Sequence, residues 1–181
     1  DVASTDAAST EGASKEKDRY TLRIGAWPRR GEAHRVWLGL RDEAKRGRDA
    51  LDFAQAPPIG RSVRLSVQET ISGEAVPHAR SLKAPSSDGR AWTLVLTNRS
   101  EKAQGVRLRL QSEGPLPAGQ QRYVLDLDAE RRIAPGATLK LDEGDERRLK
   151  VIVGTESFAR SESKGVELST FKNELRANYP N

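Results

Sequence analysis

The sequence contains no cysteine and no methionine among its 181 residues. Without cysteine the chain has no disulfide, no thiolate nucleophile and no thiolate metal ligand. A protein without thiols is compatible with an oxidising exterior, although the absence of cysteine does not by itself assign a compartment.

Histidine is almost absent as well, with only His34 and His78 in the chain. Neither has a histidine or carboxylate partner at the spacing of a metal site. The sequence also has no glycine-rich phosphate loop, nucleophile elbow or paired zinc-binding histidines. We interpret both histidines as exposed loop residues. The sequence therefore predicts a protein that is not an enzyme and uses no cofactor.

Long apolar runs are missing too, since no stretch approaches the roughly 20 residues of a membrane-spanning helix. The opening stretch DVASTDAASTEGASKEKD lacks the basic, apolar and small-residue succession of a signal peptide. Its Ser, Thr, Ala and charged residues predict a flexible, disordered lead-in over residues 1–18. Because there is no initiating methionine, we expect the chain to be a piece of a longer polypeptide whose targeting signal lies elsewhere.

What the sequence does contain is a strand pattern that recurs almost to its end. In YTLRIGAW, apolar Leu22, Ile24 and Ala26 alternate with polar or small residues, as in a strand with one buried face. The alternation returns in RVWLGL, RSVRLSVQ, AWTLVLT, GVRLRLQ, RYVLDLD, ATLKLD and RRLKVIVG. Turn-rich stretches such as WPRRGE, SSDGR and APGA separate these segments. The fold class predicted is all-β, an antiparallel Ig-like or jelly-roll-like β-sandwich of roughly seven to nine strands.

One domain is predicted, over residues 19–155, because the chain is long enough for one ordinary core. The alternation ends after Gly154, and the following TESFARSESKG has the polar composition of a domain boundary. Residues 156–181 are therefore expected to form a linker towards a following domain.

The chain is basic, with a formal net charge of +5. Arg23, Arg64, Arg107 and Arg109 each lie between two apolar residues of a predicted strand, so they are expected on the outer faces. Mixed charge of this kind is typical of solvated surface. Nucleic-acid binding is a weaker hypothesis, because the sequence contains neither an aromatic stacking platform nor a basic stripe.

The densest group of carboxylates is in RDEAKRGRDALDFAQAPP, where Asp42, Asp49 and Asp52 lie around Gly47. Carboxylate oxygens from a loop are ligands that Ca²⁺ accepts, so these three residues are candidate calcium ligands. Four cationic residues within the same segment oppose a divalent ion, and the spacing is not that of an EF-hand. An ordinary salt-bridged turn is the stronger interpretation.

The tryptophans divide into one core residue and two candidate ligand-binding residues. Trp92 shares a strand face with Leu94 and Leu96, which predicts a place in the core. Trp37 lies on the opposite face from its apolar neighbours, so it is either exposed or covered by a flanking segment. An exposed Trp37 could stack on a sugar ring, and a neighbouring Trp27 would strengthen that platform. The sequon Asn98-Arg99-Ser100 is interpreted as the turn after a strand.

The chain ends in ELRANYPN. Leu175, Asn178, Tyr179, Pro180 and Asn181 resemble a junction, Leu-x-x-Asn-Tyr-Pro-Asn, of proteins exported by the type IX secretion system. In that group the junction is usually continued by Pro-Phe-Asn-Pro into an Ig-like C-terminal sorting module. Earlier segments, including GRAWTLVLT, LPAGQQRYVLDLD and ERRLKVIVGTESF, are similar in order and texture to the β-sandwich ahead of that module. The resemblance implies an exported, extracellular or cell-surface protein.

Two functional hypotheses follow from these observations. The first is a non-catalytic β-sandwich module of a secreted or surface-attached bacterial protein, acting as a stalk, assembly or adhesion domain beside a sorting module. Its partners would be other domains of the same polypeptide or a neighbouring surface protein. The second is a module that binds a glycan or another polyanion through the arginines or Trp37.

Overall fold

The computed structural model describes residues 20–44, 53–54, 62–163, 165, 166 and 168. The described residues form a curled β-sheet followed by one short helix. The lead-in predicted for residues 1–18, the calcium candidates Asp49 and Asp52, and the junction residues from Leu175 to Asn181 lie outside the described residues.

Eight strands correspond to the eight alternating segments of the sequence, and the all-β prediction is confirmed. Three more strands lack that pattern. In chain order the strands are β1 (Tyr20–Pro28), β2 (His34–Leu40), β3 (Phe53–Ala54), β4 (Val63–Ile71), β5 (Glu74–Lys83), β6 (Gly89–Asn98), β7 (Gln104–Glu113), β8 (Gln121–Asp126), β9 (Arg131–Arg132), β10 (Thr138–Leu141) and β11 (Glu146–Gly154).

The strands are neighbours in the order β10-β7-β1-β2-β5-β4-β6-β11-β8-β9, and β3 pairs with β5 off this path. Pairing among the described strands is antiparallel with one exception, the parallel pair of β2 and β5. The prediction of purely antiparallel pairing was therefore wrong at this one position, and the sheet is mixed.

Strand β5 joins the two halves of the sheet. Its residues 74–78 pair with β4, whereas residues 80–83 pair with β2. One half of the sheet is then β10, β7, β1 and β2, and the other is β4, β6, β11, β8 and β9. The sheet curls at β5, which lets the inner faces of the two halves meet as in a β-sandwich.

A single hydrophobic core lies between the two halves. Leu22 and Leu38 of the first half belong to the same buried cluster as Leu94 and Val151 of the second. Trp92 is buried in this core, as its strand face predicted. Each fully buried leucine or valine contributes about 1.5–3 kcal/mol relative to an exposed one, so this interior is the main stabilising feature of the fold.

The helix α1 (Glu156–Glu162) follows β11 and covers its outer face. The side chain of Thr155 caps the helix by accepting a hydrogen bond from the Phe158 amide. Ala159 and Val166 pack with Ile152 of β11 in a second buried cluster. Packed structure therefore continues beyond residue 155, where the polar composition predicted the start of a linker. Among the described residues, no helix has the length and hydrophobicity needed to cross a bilayer.

Candidate functional site: a face of tryptophan and arginine

The outer face of β7, β1 and β2 brings side chains from three distant segments together. Cross-strand register places Arg23 of β1 between Gln111 of β7 and Trp37 of β2. Two residues further along, Gly25 lies between Arg109 and Arg35. Because facing residues in antiparallel strands have side chains on the same side of the sheet, these residues form one continuous outer surface.

Trp27 is held between two guanidinium groups on this surface. The Cζ atoms of Arg35 and Arg109 lie 4.9 Å and 4.8 Å from the centre of the Trp27 ring. Each arrangement is a cation–π contact, which contributes about 0.5–1 kcal/mol at an exposed site. The indole thus holds the two arginines apart at a set spacing, which reduces the entropy they would lose on binding an anion.

Glycine at position 25 makes room for the indole. A Cβ atom built on Gly25 would lie 2.7 Å from Nε1 of Trp27 and 3.3 Å from its Cδ1. Any other residue would therefore push the Trp27 ring out of its place between Arg35 and Arg109. The three atoms nearest to this Cβ position all belong to the Trp27 side chain.

The surface contains a shallow depression of about 330 Å³, which we name the Trp–Arg face. Its lining residues are Arg23, Gly25, Trp27, Arg35, Trp37, Arg109 and Gln111. Among these described residues there are three arginines and no carboxylate. The side chain of Trp37 is 37% exposed. Of the two alternatives for this residue, exposure or coverage by a flanking segment, the structure therefore shows exposure.

Ion pairs lie elsewhere in the described part of the chain. They join Arg147 to Asp126, Arg148 to Asp128, and Arg160 to Glu156. On the Trp–Arg face, Arg23 instead donates to the neutral side-chain oxygen of Gln111. The three guanidinium groups of this face therefore keep their positive potential directed at solvent.

The chemistry of this face is the binding of oxyanions. A guanidinium group presents a planar fork of donors that matches a carboxylate, sulfate or phosphate group. Arg35 and Arg109 both contact the Trp27 ring, so we assign Trp27 the role of positioning these two arginines. Trp37 supplies an exposed aromatic surface beside them.

The histidines do not contribute to this face, and the prediction that they are exposed loop residues was wrong. His78 lies within β5, is fully buried, and its Nδ1 is 3.0 Å from the carbonyl oxygen of Val76. His34 is the first residue of β2 and is half-buried. Burial lowers the pKa of His34, and the positive charge of Arg64 lowers it further. Both histidines lie in strands because those segments pair with other strands, and the local sequence does not identify these partners.

Metal ligands do not assemble among the described residues, where no group of three or more His, Cys, Asp or Glu side chains could hold an ion. Asp42 is exposed in the turn after β2. Asp49 and Asp52 lie outside the described residues, so the calcium hypothesis stays untested.

The structure assembles the Trp–Arg face from residues that sequence reasoning identified only separately. It brings Trp27 and Trp37 to one depression, as their proposed platform requires, together with Arg23 and Arg109. The sequence shows no basic stripe because these arginines come from separate strands, and the fold brings them to one side of the sheet. Arg35 was missed, although its position two residues before Trp37 in an alternating strand is a usable signal.

No protein family, no characterised protein and no solved structure matches this chain, so its function must be inferred from the chemistry of the site itself.

Proposed function

We propose that this chain is a non-catalytic adhesion module of a secreted or surface-attached bacterial protein, and that its Trp–Arg face binds an acidic glycan. The observation that supports this proposal is the clamping of Trp27 between Arg35 and Arg109 beside the exposed Trp37. Two pre-positioned guanidinium groups suit carboxylate or sulfate groups, and an exposed indole suits the apolar face of a sugar ring.

A glycan fits this face better than a single-stranded nucleic acid does. Proteins that bind single strands stack successive bases on several aromatic side chains. On this face the Trp27 ring is already in contact with Arg35 and Arg109, and Trp37 is the exposed indole. A charged sugar chain suits this face better, because its anionic groups would bind the positioned arginines and one of its rings would stack on the single exposed tryptophan.

The non-catalytic part of the proposal rests on the position of the titratable groups. His78 is enclosed in the sheet, and Nδ1 of its ring faces a backbone carbonyl. Buried Asp126 accepts from the amides of Asp128 and Ala129 and from Arg147, which is the pattern of a turn-stabilising carboxylate. Each group makes at least one contact within the fold, and neither lines the Trp–Arg face.

Calorimetric titration with a heparin octasaccharide tests the proposal. We expect the double variant Arg35→Ala/Arg109→Ala to bind roughly tenfold to a hundredfold more weakly, because each lost charged contact costs about 1 kcal/mol or slightly more. A matched control is Arg131→Ala/Arg148→Ala, which removes the same charge from the β9 and β11 side of the sheet. Equal weakening in both variants would show that only net charge matters and would contradict the proposed site.

Gly25→Val provides a second variant that changes no charge and removes no aromatic residue. Its side chain displaces Trp27 from between Arg35 and Arg109, while valine is compatible with the extended backbone of a strand. We expect weaker octasaccharide binding, and a cooperative unfolding transition would show that the variant still folds. Unlabelled single-stranded DNA serves as the competing polyanion, and tighter binding of DNA than of the octasaccharide would contradict a glycan ligand.

A stalk or assembly role beside a sorting module is the second candidate function. Its support is the junction-like series Leu175, Asn178, Tyr179, Pro180 and Asn181 in the sequence. The parent reading frame tests it directly. We expect Pro-Phe-Asn-Pro and an Ig-like module after Asn181, and an unrelated domain at that place would contradict this role.

A further inference from the structure

We propose that the ligand of this chain is an extended, linear polyanion that continues from the Trp–Arg face along β1 into a second, larger basic groove. The inference rests on the function proposed above, because it assigns the form of the ligand that the same surface binds. It is carried by three depressions that share lining residues and follow one strand.

The first two depressions meet at Trp27 and Arg109, which line both of them. The middle depression has a volume of about 440 Å³ and continues past Arg107 towards Arg29. Register explains its position, because Trp27 of β1 is paired with Arg107 of β7, which in turn is paired with Thr138 of β10.

The third depression, which we name the basic groove, has a volume of about 860 Å³. It shares Arg29, Gly105 and Thr138 with the middle depression. Its other charged lining residues are Arg30, Glu101, Lys102 and Lys140. The three depressions therefore form one continuous path across the outer face of β1, β7 and β10.

Charge along this path is strongly positive. Arg29, Arg30, Lys102 and Lys140 are exposed in the basic groove, against the single carboxylate of Glu101 in its lining. Arg107 is exposed between that groove and the Trp–Arg face. A row of cations at successive positions matches repeated anionic groups along a chain, whereas one small anion would contact only one part of the path.

The length of the path also indicates an extended ligand. The path runs along β1 from Arg23 to Arg29, the residue after the strand ends, and six residues of extended chain span roughly 20 Å. That distance exceeds the extent of a single sugar ring bound at Trp37. A linear, multiply charged glycan is therefore the ligand that would contact both ends.

Heparin oligosaccharides of two lengths test this inference by calorimetric titration of the whole chain. The tetrasaccharide is the probe for the Trp–Arg face, and the octasaccharide is the probe for the complete path. In the unsubstituted protein we expect the octasaccharide to bind about five- to tenfold more tightly, which corresponds to two additional exposed ion contacts. Lys102→Ala/Lys140→Ala should lose most of this gain and should bind the tetrasaccharide normally. Both lysines are exposed, so the fold tolerates their removal.

A longer oligosaccharide can also occupy the same site in several positions along its length, which raises its apparent affinity. The decisive quantity is therefore the ratio of octasaccharide to tetrasaccharide affinity in each variant. Arg131→Ala/Arg148→Ala is the charge-matched control and should keep the ratio of the unsubstituted protein. If Lys102→Ala/Lys140→Ala also keeps that ratio while Arg35→Ala/Arg109→Ala still weakens tetrasaccharide binding, the extended path is overturned and the proposed function survives. If neither oligosaccharide binds the unsubstituted protein, both proposals fail.

Discussion

At the scale of single residues, Asn98 connects three segments through one side chain. Its amide nitrogen donates to the carbonyl oxygens of Lys102 and Asp142, at 2.9 Å and 2.8 Å. Its amide oxygen accepts from the Ser100 amide and from Gln104 Nε2, at 3.1 Å and 2.7 Å. The side chain thereby ties the end of β6 to the start of β7 and to the turn after β10. Because Asn98 is fully buried, the folded chain does not present its sequon to a glycosylating enzyme.

We expect Asn98→Ala to lower the free energy of unfolding by about 2–4 kcal/mol, since several buried donors and acceptors lose their partner. Urea denaturation followed by tryptophan fluorescence measures this change. Ser87→Ala is a suitable control, because Ser87 is exposed and its hydroxyl forms a long local hydrogen bond of 3.4 Å to Asp88. A midpoint shift for Asn98→Ala as small as that of the control would contradict the structural role.

His34 makes the fold sensitive to acid. Burial, and secondarily the charge of Arg64, lowers its pKa from the ordinary value of 6.5. The unfolded chain therefore binds a proton at this position at higher pH than the folded chain does. The free energy of unfolding should consequently fall as the pH drops below about 6.5, and His34→Gln should reduce that fall. Urea midpoints at mildly alkaline and mildly acidic pH measure the difference, and identical pH dependence in both proteins would refute this prediction.

At the scale of elements, Lys150 holds the end of α1 against β11. Its Nζ donates to the carbonyl oxygen of Glu162 at 2.8 Å and lies 2.5 Å from the Glu162 carboxylate. Lys150 is almost fully buried on the outer face of the strand. A cation at the last turn satisfies a carbonyl that has no partner within the helix, and it also interacts favourably with the helix dipole.

Lys150→Met should loosen α1 without unfolding the sandwich, because methionine keeps the apolar stem and removes the charge. We expect faster amide hydrogen exchange at Ala159 and Ser163, whose amides donate to Thr155 and Ala159 within the helix. Exchange in the core strands should change little. Lys140→Met, at an exposed position of β10, is the matched control. Unchanged protection of Ala159 and Ser163 in Lys150→Met would contradict the anchoring role.

Strand β5 shows why one element escaped prediction from sequence. Its first part pairs with β4, its second part pairs with β2, and a register irregularity with β3 lies between them. His78 faces the same side as Val67 of the core in the first part, whereas Ser81 is paired with Leu38 in the second. The buried residues of β5 are His78, Ser81 and Leu82, which do not alternate, so the period-2 pattern disappears.

At the scale of the whole molecule, the three connected depressions on the outer face of β1, β7 and β10 are lined by a row of basic residues. The ion-paired arginines lie on β11 and α1, while the arginines of the Trp–Arg face direct their charge at solvent. The affinity for the octasaccharide should therefore fall steeply as the sodium chloride concentration rises, because binding releases counterions from the polyanion.

We expect the slope of log affinity against log salt to be shallower for Arg35→Ala/Arg109→Ala than for Arg131→Ala/Arg148→Ala, although the two variants have the same net charge. Titrations at several salt concentrations measure both slopes. Parallel slopes would indicate that the charges act only through the overall field and not through contacts on the Trp–Arg face.

The sequence by itself determined the all-β class, eight of the strands and the inward side chains of the core, because period-2 alternation is a local property of a strand with one buried face. It also placed Arg23, Trp37 and Arg109 on outer faces. Only the tertiary structure decided that these faces are neighbours, that Trp27 lies over Gly25, and that β5 changes partners. Register and strand order depend on pairing between distant segments, and alternation within one segment contains no information about its partner.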